Sequence, residues 1–198
     1  MPKVLLFDLG GVIVPWVGII ELSRLTGYSE SRINKTASSS ATFKAYEVEG
    51  CTTNEFLDEL IRLFSLGMDR TDLARLWNEW VHPPYKDTRQ TLLGLKDDYT
   101  LACLSNTNQS HWEHLKTHHK IFDMFDHAYA SHILKAAKPN AEAWRLCLSD
   151  MNVNASDVWF FDDSLMNIDA AEQLGIKSFH VDRTVGVVPT LKDLGILP

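Results

Sequence analysis

Five short β-rich runs, separated by helix-like segments, recur along this chain, and no other feature restricts its fold as tightly. The runs are 4–7, 99–104, 127–129, 158–161 and 177–180. Segments between them that read as helices include 86–95, 110–118, 141–149 and 165–174. This alternation predicts an α/β fold, a three-layer, doubly wound, Rossmann-like parallel sheet with helices on both faces. Right-handed crossovers then bring the carboxyl ends of all the strands to one edge. One interval breaks the rhythm, because roughly ninety residues lie between the first two runs, far more than a crossover needs. That interval reads as helices at 17–25, 41–48, 54–64 and 72–81. Thr52 and Glu55 have the spacing of a capping box, and Phe56, Leu57, Leu60, Ile61 and Phe64 follow at helical intervals. The expected organisation is an α/β core domain of residues 1–14 and 86–198 and an inserted helical cap domain of residues 15–85. Ser38-Ser39-Ser40 reads as a loop.

Composition excludes several function classes. Of the 198 residues 45% are apolar, the proportion of a globular protein. The formal net charge of −7, with no block of Lys and Arg, argues against a nucleic-acid partner. The apolar stretch at the N-terminus is only a strand long and is broken by Asp8, so neither a signal peptide nor a membrane span is expected. Cys51, Cys103 and Cys147 match neither a disulfide framework nor a zinc site. They read as packing residues in a reduced, cytoplasmic protein. The Trp-rich insertion permits a dimer without requiring one.

Open parallel sheets bind ligands beyond the carboxyl ends of their strands, so the residues that follow each run matter most. The first run ends in Asp8-Leu9-Gly10-Gly11, a carboxylate followed by glycines that let the backbone turn close to a ligand. The second ends in Ser105-Asn106-Thr107-Asn108, which can cap a helix and also offer donors to an anion. After the third come Ser131 and then Lys138-Pro139, where proline is expected to open the next helix. The fourth ends in Asp162-Asp163-Ser164. Adjacent carboxylates repel, and a hard cation such as Mg²⁺ relieves that cost. A carboxylate nucleophile, an anion-binding hydroxyl, a lysine and a metal-ready acid pair together suit phosphoryl transfer to Asp8.

These residues resemble the haloacid dehalogenase-like hydrolase superfamily. The matching strings, in the family's order, are FDLGGVIV, LSNTN, KPNAEAW and FFDDSLMNIDAAEQLG. The segment FKAYEVEGCTTNEFLDEL resembles the helical cap of its sugar-phosphate phosphatases, in particular the α-D-glucose-1-phosphate phosphatase-like branch. The resemblance implies a Mg²⁺-dependent phosphatase acting on a small phosphorylated metabolite, such as a sugar phosphate, through a phospho-Asp8 intermediate. It implies that Ser105, Asn106 and Lys138 bind the phosphoryl group. Metal ligands would be Asp8, the Gly10 carbonyl, Asp163 directly and Asp162 through water, with Asn167 bracing the loop.

Two positions depart from the family's pattern. Gly10 stands where most of its phosphatases carry a second aspartate as general acid and base. Leaving-group protonation then falls to water, to the substrate or to a cap residue. Val48-Glu49-Gly50 replaces a common Glu-Arg-Gly, which removes a cation from the cap. The missing aspartate keeps two alternatives open, a metal-independent 2-haloacid dehalogenase and a phosphometabolite-binding protein without turnover. Trp16, Tyr46, Glu47, Glu49, Trp77 and Trp80 are candidates to face the substrate. His111, His114 and His118 share a helical spacing that reads as a solvated face rather than a metal site.

Overall fold

β1 (Val4–Phe7) lies at the centre of a five-stranded, fully parallel sheet in a computed structural model that describes residues 2–197. The other strands are β2 (Thr100–Ser105), β3 (His127–Ala130), β4 (Val158–Asp162) and β5 (Lys177–His180). Their spatial order is β3-β2-β1-β4-β5. The chain winds outward from β1 on one side and then crosses to the other, which puts the switch point between β1 and β4. Phe7 pairs with Cys103 on one side and Phe161 on the other. Asp8 therefore emerges beside Asp162, and Ser105 emerges one step further along β2.

The central strands β1, β2 and β4 read as apolar runs because both their faces are buried, whereas the edge strands β3 and β5 are partly exposed. Leu5, Phe7, Leu101 and Cys103 pack on one face, and Val4, Leu6, Ala102 and Leu104 pack on the other.

Between β1 and β2 run α1 (Gly18–Thr26), α2 (Glu30–Ser39), α3 (Ala41–Tyr46), α4 (Thr53–Phe64) and α5 (Arg70–Glu79). These five share a separate apolar cluster built on Leu22, Ile33, Phe56, Leu60, Leu73 and Trp77. The capping box expected at Thr52 and Glu55 is present at the start of α4. The chain enters and leaves this helical insertion as an antiparallel pair. His82 N–H donates to the Pro15 carbonyl at 3.0 Å, and Val17 N–H donates to the Trp80 carbonyl at 3.0 Å.

The remaining helices are α6 (Thr88–Leu95), α7 (Gln109–His114), α8 (Ser131–Leu134), α9 (Ala141–Met151), α10 (Leu165–Glu172) and α11 (Val187–Asp193). α6 and α11 lie on the face that carries Leu5 and Phe7, while α9 and α10 cover the opposite face. No described helix is long and apolar enough to cross a membrane. Cys103 and Cys147 are buried and Cys51 is half-buried, all three as free thiols.

Three local expectations are corrected. Ser38 and Ser39 are not loop residues but the last turn of α2, and the Ser40 hydroxyl caps α3 by accepting from Phe43 N–H. Pro139 does not open α9. Asn140 is the N-cap, its side chain accepting from Glu142 N–H, and Lys138 precedes it by two residues. The helix expected over 110–118 ends at His114 and gives way to a π-helical turn, Leu115–His119. The rings of His114 and His118 stack at 4.5 Å, while His111 lies under the insertion. His118 is exposed and His114 half-exposed, but His111 is buried, its ring stacked on Trp77 at 4.6 Å.

Candidate active site

The carboxyl ends of β1, β2 and β4 converge on Lys138. Its ammonium lies 3.0 Å from Asp8 Oδ1 and 2.6 Å from Asp162 Oδ2, and its side chain is 1% exposed. Carboxylate oxygens of Asp8, Asp162 and Asp163 lie within 4.8 Å of one another. The sheet register explains this approach. Asp8 N–H continues the β1–β4 ladder to the Phe161 carbonyl at 2.9 Å, which leaves the two acid loops side by side.

Each acid is held differently. Asp8 Oδ1 accepts from Leu9 N–H at 2.7 Å as well as from Lys138. Asp162 is fully buried, and Ser164 N–H donates to its Oδ1 at 2.8 Å. Asn167 Nδ2 lies 3.1 and 3.0 Å from the two Asp162 oxygens. Three protein residues thus donate to Asp162. Asp163 is held more loosely: its Oδ2 pairs with Arg183 at 3.1 Å, across a guanidinium that is largely exposed.

The charge balance leaves an excess of negative charge. Burial pushes the Asp8 carboxyl up to about 7, and Asp162 and Asp163 reinforce the shift against the opposing pull of Lys138. Asp163 is also raised, by burial first and then by Asp162, against Arg183. Burial alone would lower the Lys138 pKa, but Asp8 and Asp162 outweigh it and the net shift is upward. Asp8, Asp163 and Lys138 all shift towards holding positive charge. An all-oxygen donor set with that demand fits a hard divalent cation such as Mg²⁺.

Asn106 clamps the lysine loop. Its Nδ2 donates to the Lys138 carbonyl at 2.7 Å, and its Oδ1 accepts from Lys138 N–H at 2.8 Å. Both ends of the amide thus hold the Lys138 backbone, leaving one Nδ2 hydrogen to spare. Ser105, almost fully buried, lines the cleft beside Asp8.

The cleft above these residues has a volume of about 550 Å³, the size of a typical small-molecule site. Its upper walls come from the helical insertion and include Trp16, Tyr46, Glu47 and Trp77. Two other candidates lie elsewhere. Glu49 is exposed, adopts φ 58° and pairs with Lys135 outside the cleft, and Trp80 is buried in the core of the insertion.

Arg183 was not anticipated from sequence, although it follows the fifth strand just as the other site residues follow the first four. His111 was also missed as a cleft residue. Its Nε2 faces the Trp77 carbonyl at 2.8 Å, and since a carbonyl only accepts, Nε2 carries the proton. Asn108 Nδ2 donates to the other ring nitrogen at 3.3 Å. Burial then keeps the ring neutral, with a pKa lowered to about 4.

A switch-point cluster of three carboxylates around a buried lysine, roofed by a helical insertion, defines an α/β enzyme of the hydrolase type. The chain belongs to the haloacid dehalogenase-like hydrolase family, whose model matches residues 2–175. It is 24% identical to a sesquiterpene phosphatase of Aspergillus oryzae over 195 residues, covering 97% of this chain and 96% of that one. It is 26% identical to a D-ribitol-5-phosphate phosphatase of Bacteroides thetaiotaomicron over 198 residues, covering 91% and 92% of the two chains. Among solved structures it is similar to a HAD family enzyme of B. thetaiotaomicron in complex with magnesium and inorganic phosphate. The TM-score is 0.76 at 27% identity, over 91% of this chain and 94% of that one.

Proposed function

We propose that this hydrolase is a Mg²⁺-dependent phosphatase that acts on a small phosphorylated metabolite through a phospho-aspartate on Asp8. The convergence of Asp8, Asp162 and Asp163 around Lys138 at the floor of a closed-in cleft carries this reading. It is supported by the phosphatases among the relatives and by the magnesium and phosphate bound to the similar structure. Residues 15–85 act in this reading as a cap over the core formed by 1–14 and 86–198.

Asp8 Oδ1 is occupied by Leu9 N–H and Lys138, which leaves Oδ2 to attack phosphorus. A bond forms from Oδ2 to phosphorus as the bond from phosphorus to the leaving oxygen breaks. Water then attacks the phosphoryl group and regenerates the carboxylate. Lys138 and the Ser105 hydroxyl hold the nonbridging oxygens. Asp162 and Asn106 fix the ammonium and the backbone of Lys138, respectively. Asp8, the Gly10 carbonyl and Asp163, with Asp162 through water, would hold Mg²⁺, which supplies Lewis-acid charge to a phosphoryl oxygen.

Gly10 offers no proton to the leaving group. Glu47 is the one carboxyl of the insertion among the residues lining the cleft, and burial raises its pKa against the pull of Lys138. A raised carboxyl pKa suits it to donate that proton from Oε.

The test is hydrolysis of an aryl phosphate with Mg²⁺, with EDTA, and by the Asp8→Asn protein. Activity is expected only for the unaltered chain with metal. Activity that survives chelation or the substitution overturns the mechanism. Halide release from a 2-haloacid in EDTA would replace it with the dehalogenase reading. Capture of a beryllofluoride phosphate mimic without turnover of any phosphate ester would replace it with a binding role.

A further inference from the structure

The cleft that receives the phosphoryl group has a floor and walls of opposite chemistry. Its floor is charged. Its walls carry Trp16, Ile19, Phe43, Tyr46, Phe56 and Trp77. The aromatic rings form one continuous shell. Tyr46 stacks on Phe56 at 4.1 Å, Phe56 meets Trp77 at 4.8 Å, and Phe43 meets Phe56 at 4.9 Å.

The polar atoms beside these rings, on Tyr46, Asn108 and His111, are already engaged with one another or with neighbouring protein groups. Tyr46 Oη lies 3.1 Å from the Thr53 hydroxyl and 3.3 Å from Asn108 Oδ1. Asn108 Oδ1 also accepts from His111 N–H at 3.0 Å. His111 spends its remaining proton on the Trp77 carbonyl. The indole N–H groups of Trp16 and Trp77 have no partner, but packing covers both nitrogens and no ligand hydroxyl reaches them. Of the other polar lining groups on the insertion, Asn34, Ser38 and Lys44 are exposed, and Glu47 is the proton donor assigned above. A polyol seated against these rings would give up its water without gaining hydrogen bonds from them in return, which is a strong basis for rejection. An apolar group loses nothing there and gains burial.

We infer that the substrate is a phosphate monoester whose leaving group is an extended apolar alcohol, such as a long alkyl, prenyl or aryl alcohol, rather than a sugar or polyol. This deepens the phosphatase reading and rests on it. The phosphoryl group reaches Asp8 while the apolar body lies along the aromatic shell. Binding of that body then favours reaction through burial and makes up in part for the acid missing at Gly10.

The experiment is a series of n-alkyl monophosphates from ethyl to decyl, alongside a polyol monophosphate, with the Mg²⁺-loaded protein. Burial of one methylene corresponds to about a fourfold gain. kcat/KM is expected to climb by about that factor per methylene until the cleft is full, and to exceed the polyol phosphate by about 100-fold. A series flat in chain length, or a polyol phosphate that matches the decyl ester, overturns the substrate class. Acetyl phosphate, whose small leaving group needs neither wall nor acid, separates the two failures. Its turnover beside a flat series leaves the phosphatase reading standing and removes only this inference. Loss of all turnover removes the phosphatase reading. Binding then decides the wall chemistry, through quenching of tryptophan fluorescence in the Asp8→Asn protein by alkylphosphonates. Affinity that tightens with chain length supports an apolar occupant, and affinity independent of it overturns one.

Discussion

Replacing Gly11 by alanine separates backbone strain from damage to the acid cluster. Gly11 adopts φ +78°, and a Cβ added there would lie 2.6 Å from Asp163 Oδ2 and 3.3 Å from Arg183 Cβ. The left-handed conformation alone costs an alanine about 1 kcal/mol, which lowers Tm by about 2–4 °C in a chain of this size. The contact adds a second effect. Asp163 must withdraw by about 0.8 Å to move from 2.6 Å to the ordinary 3.4 Å, whereas metal–ligand distances hold to about 0.2 Å. A misplacement of that size is expected to lower kcat/KM by about 100-fold. The half-saturating Mg²⁺ concentration should rise with it.

Gly27→Ala is the matched control. Gly27 has φ +69°, and the methyl group of an alanine there would meet nothing within 4 Å, so the strain is shared without the contact. The assay is a Mg²⁺ titration of aryl phosphate hydrolysis for both variants, with thermal melts. Equal loss of Tm and unequal Mg²⁺ dependence is the expected pattern. If Gly11→Ala requires no more Mg²⁺ than Gly27→Ala, Asp163 does not act through the cation and the geometry has been misread.

Lys138→Met leaves three mutually close carboxylates without their buried ammonium, and should cost roughly 3–5 kcal/mol in urea unfolding at pH 7. Added Mg²⁺ should restore part of that loss, and a variant as stable as the parent without metal would refute the charge balance. His111, with its pKa lowered to about 4 from 6.5, binds fewer protons folded than unfolded between those values. Its neutral burial therefore costs nothing above pH 6.5, and stability falls by about 3 kcal/mol as pH drops to 4. His111→Phe should flatten that acid limb in unfolding measured at pH 4.5 and 7, and an unchanged slope would assign the limb to other groups. Gly10→Asp should fold, because a Cβ there meets only Trp16 Cβ, at an ordinary 3.6 Å. Beside Glu47, a second general acid should accelerate alkyl phosphate hydrolysis by about 10²-fold, the low end for such a group, and a nitrophenyl ester far less. Equal gains on both esters would show that the aspartate does not protonate the leaving group.

What could be read from the sequence follows from what each residue type is used for. The central strands were legible because burial on both faces demands uninterrupted apolar runs such as Leu5-Leu6-Phe7. The acids were legible because Asp8 and Asp162 end such runs abruptly, and parallel register then forces them together. α2 escaped notice because Ile33 is its only buried residue, so a polar helix leaves no apolar period to find. His111 was misplaced because Trp77 of the insertion covers its ring, a tertiary contact that local spacing does not record. The cleft wall was hidden for a different reason. Phe56 and Trp77 belong to the apolar cluster of the insertion and also line the cleft. Their helical spacing records that they are buried but not that the cluster they belong to backs a cleft. Catalytic acids betray themselves because their placement is costly without a partner, whereas an aromatic wall is favourable in either role. On the proposed reading, specificity sits on residues whose periodicity already has a structural explanation, and only the position of α3, α4 and α5 above Asp8 distinguishes the two.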